Sequence, residues 1–202
     1  MESRYINTTT HYCFAGYWLL DLSRSLPSST TFVGTDIAPQ LFPSDYGKSF
    51  AFASQSITEP WPPEWNNSFD LVHQRLVLIA VSPEVARQAV HNLVNLVKPG
   101  GYIQLVEPDV STIGEGITEE TPAQRKYLQI NEQAFSTIGG NVKLGPHLRE
   151  WLEACNLEEI EDCELDLATG ARSKDPAMAE ASTQNLLELV SNFKRTAQSK
   201  TR

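Results

Sequence analysis

Short apolar runs alternate with helical stretches along this chain, and turn residues rather than long linkers separate them. The segment from Thr31 to Ile37 reads as a strand over 31–37 that ends in the carboxylate of Asp36. A second strand is predicted over 50–55, and Phe69-Asp-Leu-Val-His73-Gln74-Arg75 reads as a buried strand over 69–75. Ser82-Pro83-Glu84 then offers an N-cap with proline in the first turn. From there Ala86, Ala89, Val90, Leu93 and Val97 recur at helical spacing, which predicts a helix over 83–98 stopped by Lys98-Pro-Gly-Gly101. Tyr102-Ile-Gln-Leu-Val106 begins a strand over 102–107. Strand, helix, glycine turn and strand compose a parallel βαβ unit, whose crossover is expected to be right-handed.

The flanks are less regular. A helix is predicted over 17–26, another from Thr121 to Thr137, and Gly145-Pro146 opens an amphipathic run from Leu148 to Cys155 with Asn156 as its stop. Leu157 to Ala168 reads as a late strand with an acidic outer face, and Asp175-Pro176 opens a last helix carrying Met178, Leu186, Leu187, Leu189, Val190 and Phe193. Residues 1–10 are polar and 195–202 end in a basic stretch, so both read as loose. At 202 residues the chain suits one domain, 1–202, of α/β class with a three-layer, mainly parallel sheet.

Charge narrows the partners. With 16 Lys and Arg against 25 Asp and Glu, the net charge of −9 argues against a nucleic-acid backbone as ligand. The acidic run Glu150, Glu153, Glu158, Glu159, Glu161, Asp162, Glu164 and Asp166 reads first as a solvated face and second as a surface for a basic protein partner. Cys13, Cys155 and Cys163 form no disulfide framework, and no signal segment or membrane-length apolar run is present, which points to a reduced, cytoplasmic setting without membrane attachment. His11, His73, His91 and His147 are scattered without metal-ligand spacing, so no metal site is expected.

The chemistry concentrates at strand ends. A carboxylate at the carboxyl end of a strand can accept two hydrogen bonds from vicinal ribose hydroxyls, and Asp36 is placed for that. The other reading of Asp36 is a turn aspartate before Ala38-Pro39. His73, Gln74 and Arg75 close their strand at the same edge of the sheet. His73 titrates near neutrality and could remove a proton from an acceptor, or it is a hydrogen-bonded structural group; Arg75 could bind a carboxylate or pair with a nearby acid. Glu107 and Asp109 support the crevice or cap loops. Asp70 is expected to act through the sheet and the crevice, and Trp61 and Trp65 as packing anchors.

Four blocks, Phe32-Val-Gly-Thr-Asp36-Ile37, Glu59-Pro-Trp61-Pro-Pro-Glu-Trp65, Phe69 to Leu76 and Lys98 to Asp109, resemble the class I S-adenosylmethionine-dependent methyltransferases over roughly Tyr17 to Phe193. The likeness is strongest to a fungal branch that includes secondary-metabolite methyltransferases and a global regulator of secondary metabolism. It implies a Rossmann-like fold, S-adenosyl-L-methionine as cofactor, and a small-molecule acceptor methylated on nitrogen, oxygen or sulfur. It also implies cofactor roles for Gly16, Asp36, Ile37, Gln74 and Arg75, with Gln55, Ser56 and Ile57 at the adenine and His73 as the candidate base.

Two departures accompany the likeness. The segment His11-Tyr12-Cys13-Phe14-Ala15 stands where the family has several glycines, leaving Gly16 alone. The N-terminal helical segment and final hairpin strand of the family are not evident, so the fold is expected to be incomplete at both ends. A second reading is therefore a methyltransferase-like scaffold without transfer activity, acting as a regulatory partner or repurposed pocket.

Overall fold

The computed structural model describes residues 5–10, 16–108, 122–165 and 167–199. Five strands, β1 (Tyr5–Thr10), β2 (Thr31–Asp36), β3 (Phe50–Ser54), β4 (Phe69–Arg75) and β5 (Val97–Val106), form one sheet in the order β3-β2-β1-β4-β5. Every neighbouring pair is parallel. The helices are α1 (Tyr17–Ser23), α2 (Pro83–Val94), α3 (Pro122–Thr137), α4 (Gly145–Glu153) and α5 (Pro176–Ser199).

The period-2 alternation of the strands sends neighbouring side chains to opposite faces, and each face has its own apolar layer. On one face Leu19 of α1 packs with Phe32, joined by Trp18, Leu22, Phe50, Phe52 and Leu71. On the other, Val72 of β4 packs with Ala86, Ala89, Val90 and Leu93 of α2, with Trp151 of α4, and with Ile57 and Trp61. The result is three layers around a parallel sheet, the Rossmann-like arrangement that the resemblance implies.

The structure corrects several expected boundaries. Tyr5–Thr10, expected to be loose, is the central strand, with Ile6 in register with both Phe32 and Leu71. Its β-branched Ile6, Thr8, Thr9 and Thr10 favour extended backbone, but a polar run gives no apolar alternation to read. At the other end α5 continues to Ser199, so 195–199 are helical. The helix expected over 17–26 stops at Ser23 with Arg24 as its cap.

The helix expected over 83–98 ends at Val94, because Leu96 N–H turns back to Leu93 O (3.1 Å) and Val97 already pairs with Phe69. Lys98 to Gly101 is then a bulge inside β5 rather than a helix stop. Phe69 faces Val97 while Leu71 faces Tyr102, so four residues of β5 bow out opposite Asp70. Gly100 sits at φ +77°, and a Cβ on Gly101 would meet Asp70 O at 2.9 Å.

Ser82 caps α2 as expected, accepting from Val85 N–H at 3.4 Å. Asn156 follows α4 at φ +57°, the left-handed stop that its position predicts. The strand expected over 157–168 is absent among the described residues of that segment. Arg149 of α4 instead donates to Ile160 O (3.0 Å) and Asp162 (2.8 Å), tying an irregular stretch to the helix, and Leu165 and Leu167 remain exposed.

Candidate functional site

Order β3-β2-β1-β4-β5 reverses direction between β1 and β4, the place where open parallel sheets bind ligands beyond their carboxyl ends. A cavity of about 220 Å³ opens at that edge. Thr35, Asp36 and Ile37 at the end of β2, Gln55 to Thr58 after β3, and Val77, Ala80 and Val81 after β4 line it. Asp36, Ile37, Gln55, Ser56 and Ile57, expected as cofactor residues, thus meet around one cavity.

Asp36 is only 5% exposed, and its Oδ1 accepts a hydrogen bond from Ala38 N–H at 2.8 Å. The turn reading of Asp36 is thus seen in the structure, and a carboxylate that caps a turn still has acceptor capacity for a ligand. Gln55 spends its amide nitrogen on the following loop, donating to Ser56 O (3.0 Å) and Pro60 O (3.2 Å). Ser56 Oγ accepts from Thr58 N–H (3.2 Å) and lies 2.8 Å from Thr58 Oγ1. Ile57 is buried against the core beside Trp61. The loop is therefore a self-bonded platform whose apolar residue reaches inward.

Gly16, His73, Gln74 and Arg75 do not line the cavity. Gly16 is the N-cap of α1 at φ +108°, where a Cβ would stand 2.7 Å from Pro43 Cγ and 2.9 Å from the Phe52 ring, so packing explains this glycine. His73 is 2% exposed, stacked under Trp18, and its Nδ1 lies 2.8 Å from Gln104 Oε1. Burial lowers its pKa to about 4, with the Arg75 charge adding to that and the Gln104 bond opposing it. Such an imidazole is neutral at pH 7 and a weak base, and the indole covers one face of it. Gln74 is fully buried, and Arg75 keeps a buried Nε without a partner among the described residues. The His11 to Ala15 loop and Asp109 lie outside the described residues.

Glu107 does what loop capping requires. Its Oε1 accepts from Val77 N–H (2.9 Å), Leu78 N–H (2.8 Å) and the Gln74 amide, and its Oε2 from Ile79 N–H (3.3 Å). Burial pushes the carboxyl pKa up from its ordinary value, opposed by those four donors. The wall of Val77, Ala80 and Val81 has no signal in the sequence, where an apolar run after a strand reads as core. Asp70, expected to act through the sheet and the crevice, pairs with Lys98 (3.0 Å) near the amino end of β4, at the edge of the sheet opposite the cavity.

A larger groove of about 540 Å³ runs between α2 and α4, lined by Arg87, His91, His147, Glu150, Trp151 and Cys155 among others. It lies on helices rather than at strand ends, and its charges are mixed. Among the described residues no cluster could hold a metal ion, and no helix is long and apolar enough to cross a membrane.

No protein-family model matches the chain. It is 38% identical to the N-methyltransferase gliN of Aspergillus fumigatus over 185 residues, covering 91% of this chain and 65% of that protein. Against the N-methyltransferase sirN of Leptosphaeria maculans it is 35% identical over 177 residues, covering 88% and 61%. The chain thus spans less than two thirds of the length of these relatives. In fold it is similar to an O-methyltransferase family protein from Burkholderia thailandensis (TM-score 0.53, 17% identity, 77% of this chain and 46% of that one). It is likewise similar to human N-acetylserotonin methyltransferase in complex with SAM (TM-score 0.52, 15% identity, 79% and 44%). By sequence the chain is thus similar to fungal N-methyltransferases, and its sheet has the Rossmann-like fold of the S-adenosylmethionine-dependent methyltransferases.

Proposed function

We propose that this chain uses S-adenosylmethionine to methylate a small-molecule secondary metabolite, and that the cavity at the carboxyl ends of β2, β3 and β4 takes the adenosine end of the cofactor. The observation that carries the reading is Asp36, a buried carboxylate at the end of β2 facing a cavity with apolar walls. Those residues fit the group. Asp36 would hold the ribose hydroxyls, Ile37, Ile57, Val77 and Val81 would flank the adenine, and the Gln55-Ser56 edge would meet its polar rim. Gln74 and Arg75 stand at the adjoining end of β4, where the guanidinium of Arg75 suits a carboxylate of cofactor or acceptor.

When bound, S-adenosylmethionine supplies a methyl group already activated on a sulfonium. The protein's own part is then to align the acceptor and to exclude water, which needs no catalytic triad. Nitrogen is the favoured acceptor atom, because relatives 35–38% identical to this chain are named N-methyltransferases.

Calorimetric titration of the chain with S-adenosylmethionine and S-adenosylhomocysteine tests the reading. Binding that depends on Asp36 supports it. No heat with either ligand, from a chain folded by circular dichroism, overturns it in favour of the scaffold without transfer activity.

A further inference from the structure

We infer that Glu107 is a positioning residue for the cofactor: by gripping the backbone of Val77 to Ile79 it sets the cavity wall made by Val77, Ala80 and Val81, an inference that rests on the adenosine reading of that cavity. The wall is not part of the sheet. After Arg75 the chain leaves β4 through Leu76, whose φ of +57° is a conformation that few L side chains adopt, and Leu76 N–H makes the last ladder bond to Val106 O at 3.0 Å. Beyond it the chain coils into a single 3-10 turn over Leu78–Ala80.

The opening N–H groups of such a turn have no acceptor within it, and here they are buried with Val77, Leu78 and Ile79 themselves. All three converge on the Glu107 carboxylate. The rest of the turn is built on the residues so held, since Ala80 N–H donates to Val77 O (3.1 Å) and Val81 N–H to Leu78 O (3.2 Å). Ile79 O in turn receives Asn141 N–H (3.1 Å), and a Cβ on Gly140 would fall 2.3 Å from that same oxygen, so the turn is clamped from behind as well. Glu107 does not line the cavity; its effect on a ligand passes through Val77, Ala80 and Val81.

Gln74 shares the Glu107 Oε1 position with the Val77 and Leu78 N–H groups. Its amide nitrogen donates to Glu107 while its Oε1 has no partner among the described residues. In Glu107→Gln an amide oxygen at that position still accepts from Val77, Leu78 and Gln74, while the NH₂ group replaces Oε2 and leaves Ile79 N–H without its acceptor. Alanine offers no acceptor, and aspartate is one methylene too short to reach the three N–H groups.

The test is amide hydrogen exchange together with calorimetric titration with S-adenosylhomocysteine, run on the full chain and its Glu107→Ala, Glu107→Gln, Glu107→Asp and Leu96→Ala variants. Leu96 is buried just before β5, at the far edge of the sheet, and reports general destabilisation. In Glu107→Ala the Val77, Leu78 and Ile79 amides should exchange about tenfold faster or more, and ligand affinity should fall by about tenfold or more. Glu107→Gln should recover most of the affinity and of the protection at Val77 and Leu78, and Leu96→Ala should bind as wild type. Wild-type affinity in folded Glu107→Ala overturns the inference, as does an equal loss in Leu96→Ala. Should Glu107→Ala fail to fold, the aspartate and glutamine variants decide: weaker binding by the aspartate variant supports the role, and wild-type binding by it overturns it. If the wild-type chain binds no S-adenosylhomocysteine, the adenosine reading falls by itself, while exchange at residues 77–79 still tests the hold of Glu107 on the wall.

Discussion

The indole of Trp18 lies flat on the imidazole of His73, ring centroids 3.8 Å apart and planes 10° from parallel. This contact fastens α1 to β4 across the layer, and it shields one face of the imidazole from solvent. Together with the Gln104 bond it accounts for a histidine that is kept neutral inside the fold.

That neutrality has a pH signature. The folded pKa of His73, about 4, lies below the 6.5 of a free imidazole, so the unfolded state binds more protons between those values and stability rises with pH there. The contribution is complete above pH 6.5 and is lost as pH falls toward 4. From this one group we expect on the order of 2–3 kcal/mol less stability at pH 4.5 than at pH 7.5. Denaturant unfolding of wild type and His73→Gln at both pH values isolates it, and equal pH slopes for the two proteins would refute it.

Asp36→Ala should weaken S-adenosylhomocysteine binding by about 1.5–3 kcal/mol, through loss of charge-assisted bonds to the ribose. It should also cost about 1 kcal/mol of stability, since Ala38 N–H loses its acceptor. Asp36→Asn keeps that acceptor and should lose affinity with little change in unfolding free energy. Calorimetry and urea unfolding on the same samples separate the two effects.

Gly16→Ala should destabilise the chain by about 2–4 kcal/mol, from the left-handed backbone and the collision with Pro43 and Phe52. Guanidinium unfolding reads this directly. A neutral result would mean that the Phe52 ring gives way.

Asp70→Asn should change stability by less than about 1 kcal/mol, because both members of the Asp70–Lys98 pair are partly exposed and screened by solvent. Ligand affinity should stay at the wild-type value. A large loss of affinity would place Asp70 in communication with the crevice after all.

What could be read from the sequence follows from how local each signal is. Asp36 is legible because an apolar strand and its terminal carboxylate are neighbours in sequence, and Ser82-Pro83 announces α2 for the same reason. β1 is not legible: its polar run finds its strand partners only through β2 and β4, which are distant along the chain. The Lys98 to Gly101 bulge reads as a stop because glycine and proline mark both, and only the pairing of Phe69 and Leu71 with β5 tells them apart. His73 shows which face of the strand it occupies but not that Trp18 covers it. The wall from Val77 to Val81 and its tether to Glu107 join segments about thirty residues apart, a relation that no spacing rule encodes.

The bulge in β5 also bears on association. β5 ends the described sheet, and its exposed Tyr102 and Val106 stand beside a backbone edge that another strand could extend. Lys98 to Gly101 interrupts that edge with a charge, a proline that lacks an N–H, and a glycine at positive φ, so an incoming strand finds a regular template only from Tyr102 onward. A stretch that short and that distorted is a poor template for edge-to-edge pairing, so the turn that shapes β5 also limits what this edge offers another strand.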